Sequence, residues 1–309
     1  MTVPLIIDTD PGVDDAVALM LATASPEVQL LAVTTVFGNV GVEVTTANAL
    51  RLRALAGLGQ LPVAAGAARP LVSPQTERVG SKHGPDGLGG RADSLPEPIG
   101  PLYSHGAVAL MADLLHTAPA PVTLVAIGPL TNIALLLAAH PDVKPRVDRI
   151  VIMGGYLSGP TAESNTASDP EAARRVLVEE DVPVMLVPLD LTMRAAVDAA
   201  WLAELAAAGP RCAVLAGVIE QYRERVRETS GRDAVALHDS LAVLEAAVPG
   251  TLVSTQMRLE VICDHGSKRG AVTAADGGHG TDRRRVQVAC DADLPSINAT
   301  ILNRLRRLR

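Results

Sequence analysis

The sequence predicts an α/β protein with an open, mostly parallel sheet and helices on both faces. Short apolar runs alternate with helix-like stretches through the first two-thirds of the 309 residues, which is the pattern of a parallel sheet. The composition is 48% hydrophobic but only 2% aromatic, so the core consists of alanine, valine and leucine, which suits helices packed on a sheet. We expect a single domain over residues 1–309.

Each element follows from a local pattern. The branched apolar run 3–7 is typical of a buried strand, and Pro11-Gly12 turns the chain into a periodic stretch that predicts a helix from Val13. Further strands are predicted at 30–36, 122–127, 150–153 and 182–187, and helices at 42–58, 130–139 and 169–180. Residues 66–101 are rich in Gly, Pro and Ser and too long for an idle connection, which predicts a loop at the site.

Composition and charge exclude several classes of protein. A net charge of −7 argues against nucleic-acid binding, and neither a leader nor a membrane-spanning apolar run is visible, so we expect no membrane partner. The scattered cysteines predict a reduced, cytoplasmic setting: Cys212, Cys263 and Cys290. Four arginines on the last apolar-periodic segment are predicted to form the solvated face of a terminal helix: Arg304, Arg306, Arg307 and Arg309.

Four aspartates within eight residues follow the first predicted strand: Asp8, Asp10, Asp14 and Asp15. Open α/β sheets bind their ligands at the carboxyl ends of strands. A cluster of this kind repels itself unless a hard cation is present, and oxygen ligands suit Ca²⁺ or Mg²⁺. Capping of the next helix by Asp10, with Asp14 and Asp15 in its first turn, explains one or two of these residues but not four.

Other polar motifs follow later strands or lie in the long loop, and each has an alternative structural explanation. Asn39 in Gly38-Asn39 could be a turn residue, and His83 in the glycine-rich segment 83–89 could be a solvated loop histidine. Asp239 of His238-Asp239 could cap a helix, which does not explain His238. Thr131 and Asn132 are predicted to cap a helix, and Asp169 and Pro170 to begin another.

The opening segment resembles the nucleoside hydrolase family, whose N-terminal signature is D-x-D-x-G-x-D-D. Asp8, Asp10, Gly12, Asp14 and Asp15 match this signature without a gap. Five further segments resemble family motifs in the same order, so that the resemblance spans residues 3–240: Gly38-Asn39, His83–Gly89, Gly128–Asn132, Met153–Ala173 and His238-Asp239. The resemblance implies a Rossmann-like fold and a commonly dimeric or tetrameric homo-oligomer.

The resemblance also implies a role for each matching residue. Ca²⁺ would be held by Asp10, Asp14, Asp15, Asp239 and the main-chain oxygen of Ile127. Asp10 would be the general base towards water, and His238 would protonate the leaving base. The remaining positions are expected to contact a small ribonucleoside substrate: Asp14, Asn39, His83, Met153, Glu163, Asn165, Tyr222 and Asp239.

Tyr222 is the weakest of these matches, and a packed surface tyrosine explains it as well. Glu163 and Asn165 are predicted to alternate onto one side of an extended segment, where they would bind adjacent sugar hydroxyls. Two positions near them depart from the family pattern, which has phenylalanine at Ser164 and asparagine at Leu157.

The expected reaction is hydrolysis of the N-glycosidic bond of ribonucleosides by a calcium-positioned water. Histidine acid catalysis is typical of members that accept inosine or pyrimidine nucleosides, and five aromatic residues give little with which to stack a purine. The sequence leaves two alternative functions open. One is a haloacid-dehalogenase-type, Mg²⁺-dependent phosphotransferase with Asp8 as nucleophile and Asp10 as acid/base; the other is a calcium-stabilised sugar- or nucleoside-binding protein without turnover.

Overall fold

An eight-stranded sheet forms the centre of the molecule. The computed structural model describes residues 2–74, 82–275 and 284–308. The strand order is β3-β2-β1-β4-β5-β6-β12-β9, and every neighbouring pair is parallel except β12 and β9. In chain order the strands are β1 Val3–Thr9, β2 Val28–Thr35, β3 Val63–Ala65, β4 Val122–Ala126, β5 Val147–Met153, β6 Val184–Val187, β7 Ala196–Val197, β8 Val235–Ala236, β9 Val253–Met257, β10 Leu259–Val261, β11 Val272–Ala274 and β12 Val286–Asp291.

Helices cover both faces of this sheet. They are α1 Val13–Ala24, α2 Val42–Ala56, α3 Gly106–Thr117, α4 Thr131–Ala139, α5 Ser164–Ser168, α6 Pro170–Arg174, α7 Leu189–Thr192, α8 Ala199–Ala206, α9 Pro210–Ser230, α10 His238–Ala247 and α11 Leu294–Leu305. Short 3₁₀ segments occur at Ala92–Ser94 and Pro141–Arg146, and a π turn at Arg175–Glu179. Two small antiparallel pairs, β7 with β8 and β10 with β11, lie outside the main sheet.

The core is divided between the two faces because side chains alternate along each strand. Leu5 and Ile7 of β1 join one apolar cluster, which includes residues of α1, α2, α9, α10 and α11. Ile6 belongs to a second cluster, which contains residues of α3, α4 and α6. This arrangement confirms the predicted sheet with helices on both faces.

The strand order places β1 between β2 and β4, so the connections leave β1 and β4 in opposite directions along the sheet. A crevice forms at such a reversal, beyond the carboxyl ends of the strands, and is the usual ligand position in open α/β sheets. The acidic segment after β1 and the Ile127-Gly128 segment after β4 both lie at this point.

Two details of the predicted elements differ. The expected helix 169–180 begins with Asp169 as its N-cap, as predicted, but changes to a π turn after Arg174. The prediction that all terminal arginines are solvated is wrong for Arg304. This residue is buried. Its guanidinium donates to the Ser25 Oγ at 2.8 Å and to Glu27 at 3.1 Å, so it connects α11 to the segment between α1 and β2.

None of the described helices is both long and apolar enough to cross a membrane. The three cysteines are free thiols, and only Cys212 is buried.

Candidate active site

A cavity of about 440 Å³ opens at the carboxyl ends of β1, β4 and β5. Of the twelve residues predicted for the site, all except Asp10 line this cavity. Its lining consists of Asp14, Asp15, Asn39, Lys82, His83, Ile127, Met153, Ala162, Glu163, Ser164, Asn165, Leu189, Tyr222, His238 and Asp239. Residues separated by more than 200 positions in sequence thus converge on one volume, large enough for a small ligand.

Three carboxylates form an acidic cluster on the floor of the cavity. Asp14, Asp15 and Asp239 are all buried, and they offer ligand oxygens that lie within 4.8 Å of one another. Burial raises the pKa of Asp14 to about 6, and burial together with the charge of Asp14 raises the pKa of Asp15 to about 6. The pKa of Asp239 lies well above its ordinary value, because of burial and then the charges of Asp14 and Asp15.

The raised pKa values show that burial, and for Asp15 and Asp239 also the neighbouring carboxylates, disfavours the charged forms of this cluster. A divalent cation removes that penalty, and an all-oxygen donor set is the kind that hard cations prefer. The acidic cluster therefore fits a hard divalent metal ion.

Asp15 is held by the first turn of α1. Its Oδ2 accepts hydrogen bonds from Gly12 N at 2.9 Å and Asn39 Nδ2 at 3.2 Å, and its Oδ1 accepts from Thr9 Oγ1 at 2.5 Å. Gly12 is the N-cap residue, and Asp15, the third residue of the helix, accepts a hydrogen bond from its amide, which is the acidic half of a capping box. The capping explanation thus applies to Asp15, whereas Asp10 lies before the cap.

Asp10 lies behind the cavity surface and is 1% exposed. Its Oδ2 accepts a hydrogen bond from Asn39 N at 2.6 Å, and Asn39 Nδ2 donates to the Asp10 main-chain oxygen at 3.1 Å. Gly38 is required at this point because a Cβ on it would overlap the Asp10 carboxylate, and a Cβ on Gly128 would lie 2.7 Å from Asp10 Oδ1. Asp10 does not belong to the three-carboxylate cluster, and its predicted role as a metal ligand stays a prediction.

The wall after β4 and β5 is organised by Asn165. Its amide donates to the main-chain oxygens of Ile127 at 3.0 Å and of Met153 at 3.2 Å. This contact holds the Ile127 carbonyl beside the cavity, as the predicted backbone ligand requires.

The predicted extended segment at Glu163 and Asn165 is wrong. Glu163 is the N-cap of α5 and Asn165 lies in that helix. The Glu163 carboxylate accepts from the main-chain N–H groups of Asn165, Thr166 and Gly155 at 2.8–3.2 Å. An acid that satisfies several helix-terminal donors ends the extended backbone there, so the alternation of side chains is lost.

The predicted capping of α4 by Thr131 and Asn132 is also wrong. Neither side chain caps α4; Thr131 Oγ1 donates to Asp169 Oδ2 at 2.7 Å. Asn132 Nδ2 donates to Asp8 Oδ1 at 2.8 Å and to the Thr35 carbonyl at 2.9 Å, while its Oδ1 accepts from Ala67 N at 2.8 Å. These bonds join the ends of β1, β2 and β3, which gives Asn132 a structural role that helix-start statistics cannot reveal.

The opposite side of the cavity carries a ring pair. The rings of His83 and Tyr222 stack with centroids 5.2 Å apart and planes inclined by 18°. The His83 Nδ1 accepts a hydrogen bond from Val13 N at 3.1 Å and lies 3.7 Å from Asp14 Oδ1. Because an amide N–H always carries its proton, Nδ1 is the unprotonated nitrogen, and the short approach to Asp14 is not an ion pair in this tautomer.

His238 begins α10 next to Asp239, and its Nδ1 lies 2.8 Å from Thr192 Oγ1. Burial lowers the pKa of His238 to about 4, and the positive charge of Lys82, and that of His83 when it is protonated, act in the same direction. The imidazole is therefore neutral near pH 7. It acts there as a hydrogen-bonding group rather than as a preformed imidazolium, whereas the sequence-based expectation of acid catalysis took the ordinary histidine pKa of about 6.5.

The phosphotransferase alternative is not favoured. It needs Asp8 as a nucleophile and gives no role to Asp14, Asp15 and Asp239, although these three form the acidic cluster. The Asp8 Oδ1 accepts from Thr34 at 2.6 Å and from Asn132, and burial raises the pKa of Asp8 to about 7.

Sequence reasoning missed Lys82, Ala162, Leu189 and Thr192. Leu189 and Thr192 follow β6 in Pro188–Thr192, where the carboxyl end of a parallel strand was a usable signal. Lys82 and Ala162 carry no motif of their own, and only their neighbours His83 and Glu163 pointed to them.

Comparison with known proteins shows to which family the chain belongs. The family model described as inosine-uridine preferring nucleoside hydrolase matches residues 5–299. The chain belongs to this family. Among curated relatives, the pyrimidine-specific ribonucleoside hydrolase RihA of Salmonella enteritidis is 40% identical over 249 residues, which cover 79% of each chain, as is the protein of that name from Salmonella typhimurium.

Solved nucleoside hydrolases share the whole architecture. A plant nucleoside hydrolase, PpNRh1, superposes with a TM-score of 0.89 at 30% identity and 99% coverage of both chains. A purine-preferring ribonucleoside hydrolase from Gardnerella vaginalis gives a TM-score of 0.91 at 27% identity, covering 99% of this chain and 98% of the other. As a nucleoside hydrolase, this chain is an N-glycosyl hydrolase that acts on ribonucleosides, and the acidic cluster agrees with the metal dependence of the family.

Proposed function

We propose that this nucleoside hydrolase cleaves pyrimidine ribonucleosides and inosine to the free base and ribose, with Ca²⁺ in the acidic cluster. The observation that carries the proposal is one cavity that is lined by three clustered carboxylates and by the half-buried, neutral His238 beside them. The carboxylates would bind the metal ion that positions the sugar and the water, and the histidine would form a hydrogen bond to the departing base.

Asp14, Asp15 and Asp239 would hold the Ca²⁺, with Asp10 and the Ile127 main-chain oxygen as the further ligands expected from the sequence. When bound, the ion supplies a fixed position for a water of lowered pKa and for two adjacent sugar hydroxyls.

Asp10 and His238 then have separate roles, Asp10 towards the attacking water and His238 towards the departing base. Asp10, fixed by Asn39 N, accepts the proton of the water that attacks C1′ of the ribose. The C1′–N bond breaks as the C1′–O bond forms, and its electron pair stays on the base nitrogen. His238 is neutral near pH 7, so it stabilises the departing base by donating a hydrogen bond from Nε2 when the Thr192 hydroxyl donates to its Nδ1.

The base preference rests on the ring pair and on the curated relatives. The ring of Tyr222, stacked on His83, offers one flat surface, and the lining contains no second large aromatic ring. A single ring can stack on a base, uracil, cytosine or hypoxanthine, that is activated by a hydrogen bond from His238, whereas binding of a purine between two aromatic rings without such activation needs a second ring. The printed specificity of the RihA relatives is for pyrimidines.

A substrate panel tests the proposal. The purified protein is incubated with uridine, cytidine, inosine, adenosine and p-nitrophenyl phosphate, with Ca²⁺, with Mg²⁺ and with a chelator. We expect release of uracil, cytosine and hypoxanthine that depends on Ca²⁺, and no p-nitrophenol. Calcium binding without release of base would instead support a binding protein without turnover.

We also carry three expectations from the sequence into the proposal. These are a homo-oligomer, either a dimer or a tetramer, a single domain over residues 1–309, and a cytoplasmic location, which the free cysteines support.

A further inference from the structure

A second cavity meets the active-site cavity at Ala162 and Ser164. It measures about 550 Å³, slightly more than the active-site cavity, and both residues line both volumes. Its remaining walls come from Phe37-Gly38, from the chain after β3 at Pro70 to Pro74, and from α5. Neither junction residue has a side chain larger than a hydroxymethyl group, so among the described residues no large side chain stands between the two cavities at Ala162 and Ser164.

The chemistry of a bound ribose directs one substituent towards this passage. In a ribonucleoside, C1′ and C4′ flank the ring oxygen, and the two hydroxyls are on the other side of the ring. If the hydroxyls meet the acidic cluster and the base meets His83, Tyr222 and His238, the C5′ group faces the remaining wall. That wall is the segment 162–165, in which Glu163 borders the active-site cavity and Ser164 borders both.

Two basic residues, Arg269 and His265, line the second cavity; His265 is exposed to solvent, and Arg269 is paired, so neither offers a free buried charge to an anionic substituent. The guanidinium of Arg269 donates to both carboxylate oxygens of Glu171 at 2.7 and 2.8 Å and to Ser73 Oγ at 2.8 Å. Its charge is thus already compensated. A 5′-phosphate would also pass Glu163, which is only 5% exposed, so like charges would face each other at short range. Pro74, Pro170 and Ala167 provide apolar surface instead.

We propose that the second cavity binds an uncharged substituent on the 5′ carbon, so that the substrate class includes 5′-substituted ribonucleosides such as 5′-thioethers. This inference rests on the proposed function, because it takes the orientation of the ribose from it. It adds a second binding volume, reached past Ser164, that an unsubstituted nucleoside leaves unused.

The test compares kcat/KM for uridine, 5′-deoxy-5′-(propylthio)uridine and uridine 5′-monophosphate. We expect the wild-type protein to cleave the thioether within about tenfold of uridine, and the monophosphate at least about 100-fold less well. Cleavage of uridine without cleavage of the thioether would overturn the inference alone. Cleavage of neither uridine nor inosine would contradict the proposed function itself. Comparable cleavage of the monophosphate would overturn the assignment to uncharged groups.

Two variants show where the substituent lies. Ala167 is exposed and lines only the second cavity, so A167L fills that volume without reaching the ribose. We expect it to lower the thioether-to-uridine ratio by about tenfold or more, and S164F, which closes the junction, to do the same. Ala138, exposed on α4 and outside both cavities, gives the matched control A138L, with an unchanged ratio. An unchanged ratio in both filled variants would place the substituent in solvent and overturn the proposal.

Discussion

Thr192 Oγ1 lies 2.8 Å from His238 Nδ1, and this contact decides which nitrogen of the imidazole can face the substrate. Thr192 is fully buried at the end of α7, and His238 begins α10, so each side chain has little freedom to turn away. A neutral imidazole has one donor and one acceptor nitrogen. A threonine that donates to Nδ1 leaves the proton on Nε2, the nitrogen available to a departing base.

Replacement of Thr192 by valine tests this relationship. T192V keeps the shape but removes the hydroxyl, and we expect kcat on uridine to fall about tenfold, equivalent to one hydrogen bond of about 1.4 kcal/mol. T192S should keep most activity because it retains the hydroxyl. The measurement is kcat over pH 5–9 for all three proteins, and equal activity of T192V and the wild type would show that the contact does not orient His238.

Removal of His238 should depend on the leaving group. H238A is expected to slow uridine and inosine hydrolysis far more than hydrolysis of p-nitrophenyl riboside, because nitrophenolate leaves without a proton. Losses of binding common to both substrates cancel in the ratio of kcat/KM values. Equal losses on both substrates would transfer leaving-group activation to His83 or Tyr222.

Asp10 should be needed for turnover rather than for folding. D10N still accepts the hydrogen bond from Asn39 N but cannot take a proton from water, so kcat should fall by about 10²–10⁴-fold. Calcium affinity, measured by calorimetry, should change much less than kcat. If D10N keeps more than about a tenth of wild-type turnover, another group activates the water.

The stabilisation by calcium should increase with pH. The pKa values of Asp14 and Asp15 are raised to about 6 in the metal-free folded protein, so between pH 4 and 6 this state binds protons that the unfolded chain has lost. Ionisation of the two groups as pH rises through 6 therefore destabilises the metal-free protein, whereas bound Ca²⁺ requires the ionised forms.

The measurement is the rise in Tm on adding Ca²⁺, made at about pH 5.5 and about pH 7.5. The folded pKa of His238 is lowered to about 4, so its contribution has the opposite sign and increases with pH between 4 and 6.5. It is present with and without Ca²⁺ and largely cancels in the difference. A rise in Tm that is the same at both pH values would contradict the assignment of the cluster.

Arg304 should contribute to stability although it lies far from the site. R304A leaves Ser25 without its charged partner, and we expect the free energy of unfolding to fall by about 1–3 kcal/mol in urea denaturation. R304M keeps the aliphatic stem and separates packing from hydrogen bonding. R307A is the matched control, since Arg307 is exposed on the same terminal segment, and its effect should stay within about 0.5 kcal/mol.

The sequence allowed the sheet and most of the site to be predicted because their signals are local. An apolar run followed by Asp10 and Gly12 predicts both the strand β1 and the position of the ligand site at its carboxyl end. The failures concern side chains whose partners are distant in sequence: Asn132 bonds to Asp8 across 124 positions, and Arg304 bonds to Ser25 across 279. From local sequence alone, Asn132 is expected to cap a helix and Arg304 to face solvent. In the folded protein, tertiary hydrogen bonds determine the position of both side chains instead.

The three hydrogen bonds of Asn132 stabilise one half of the site, the strand ends that carry Asp10 and Asn39, but not the other half, which contains His83 and Tyr222. The ends of β1, β2 and β3 are fastened to one amide, so the backbone that carries Asp10 and Asn39 is anchored as a unit. His83 lies on a loop and Tyr222 on α9, and neither is tied to that amide. For protein engineering, the strand ends that carry Asp10 and Asn39 are thus a fixed platform, while Tyr222, which meets that platform through the ring of His83, is the position at which base preference can be varied first.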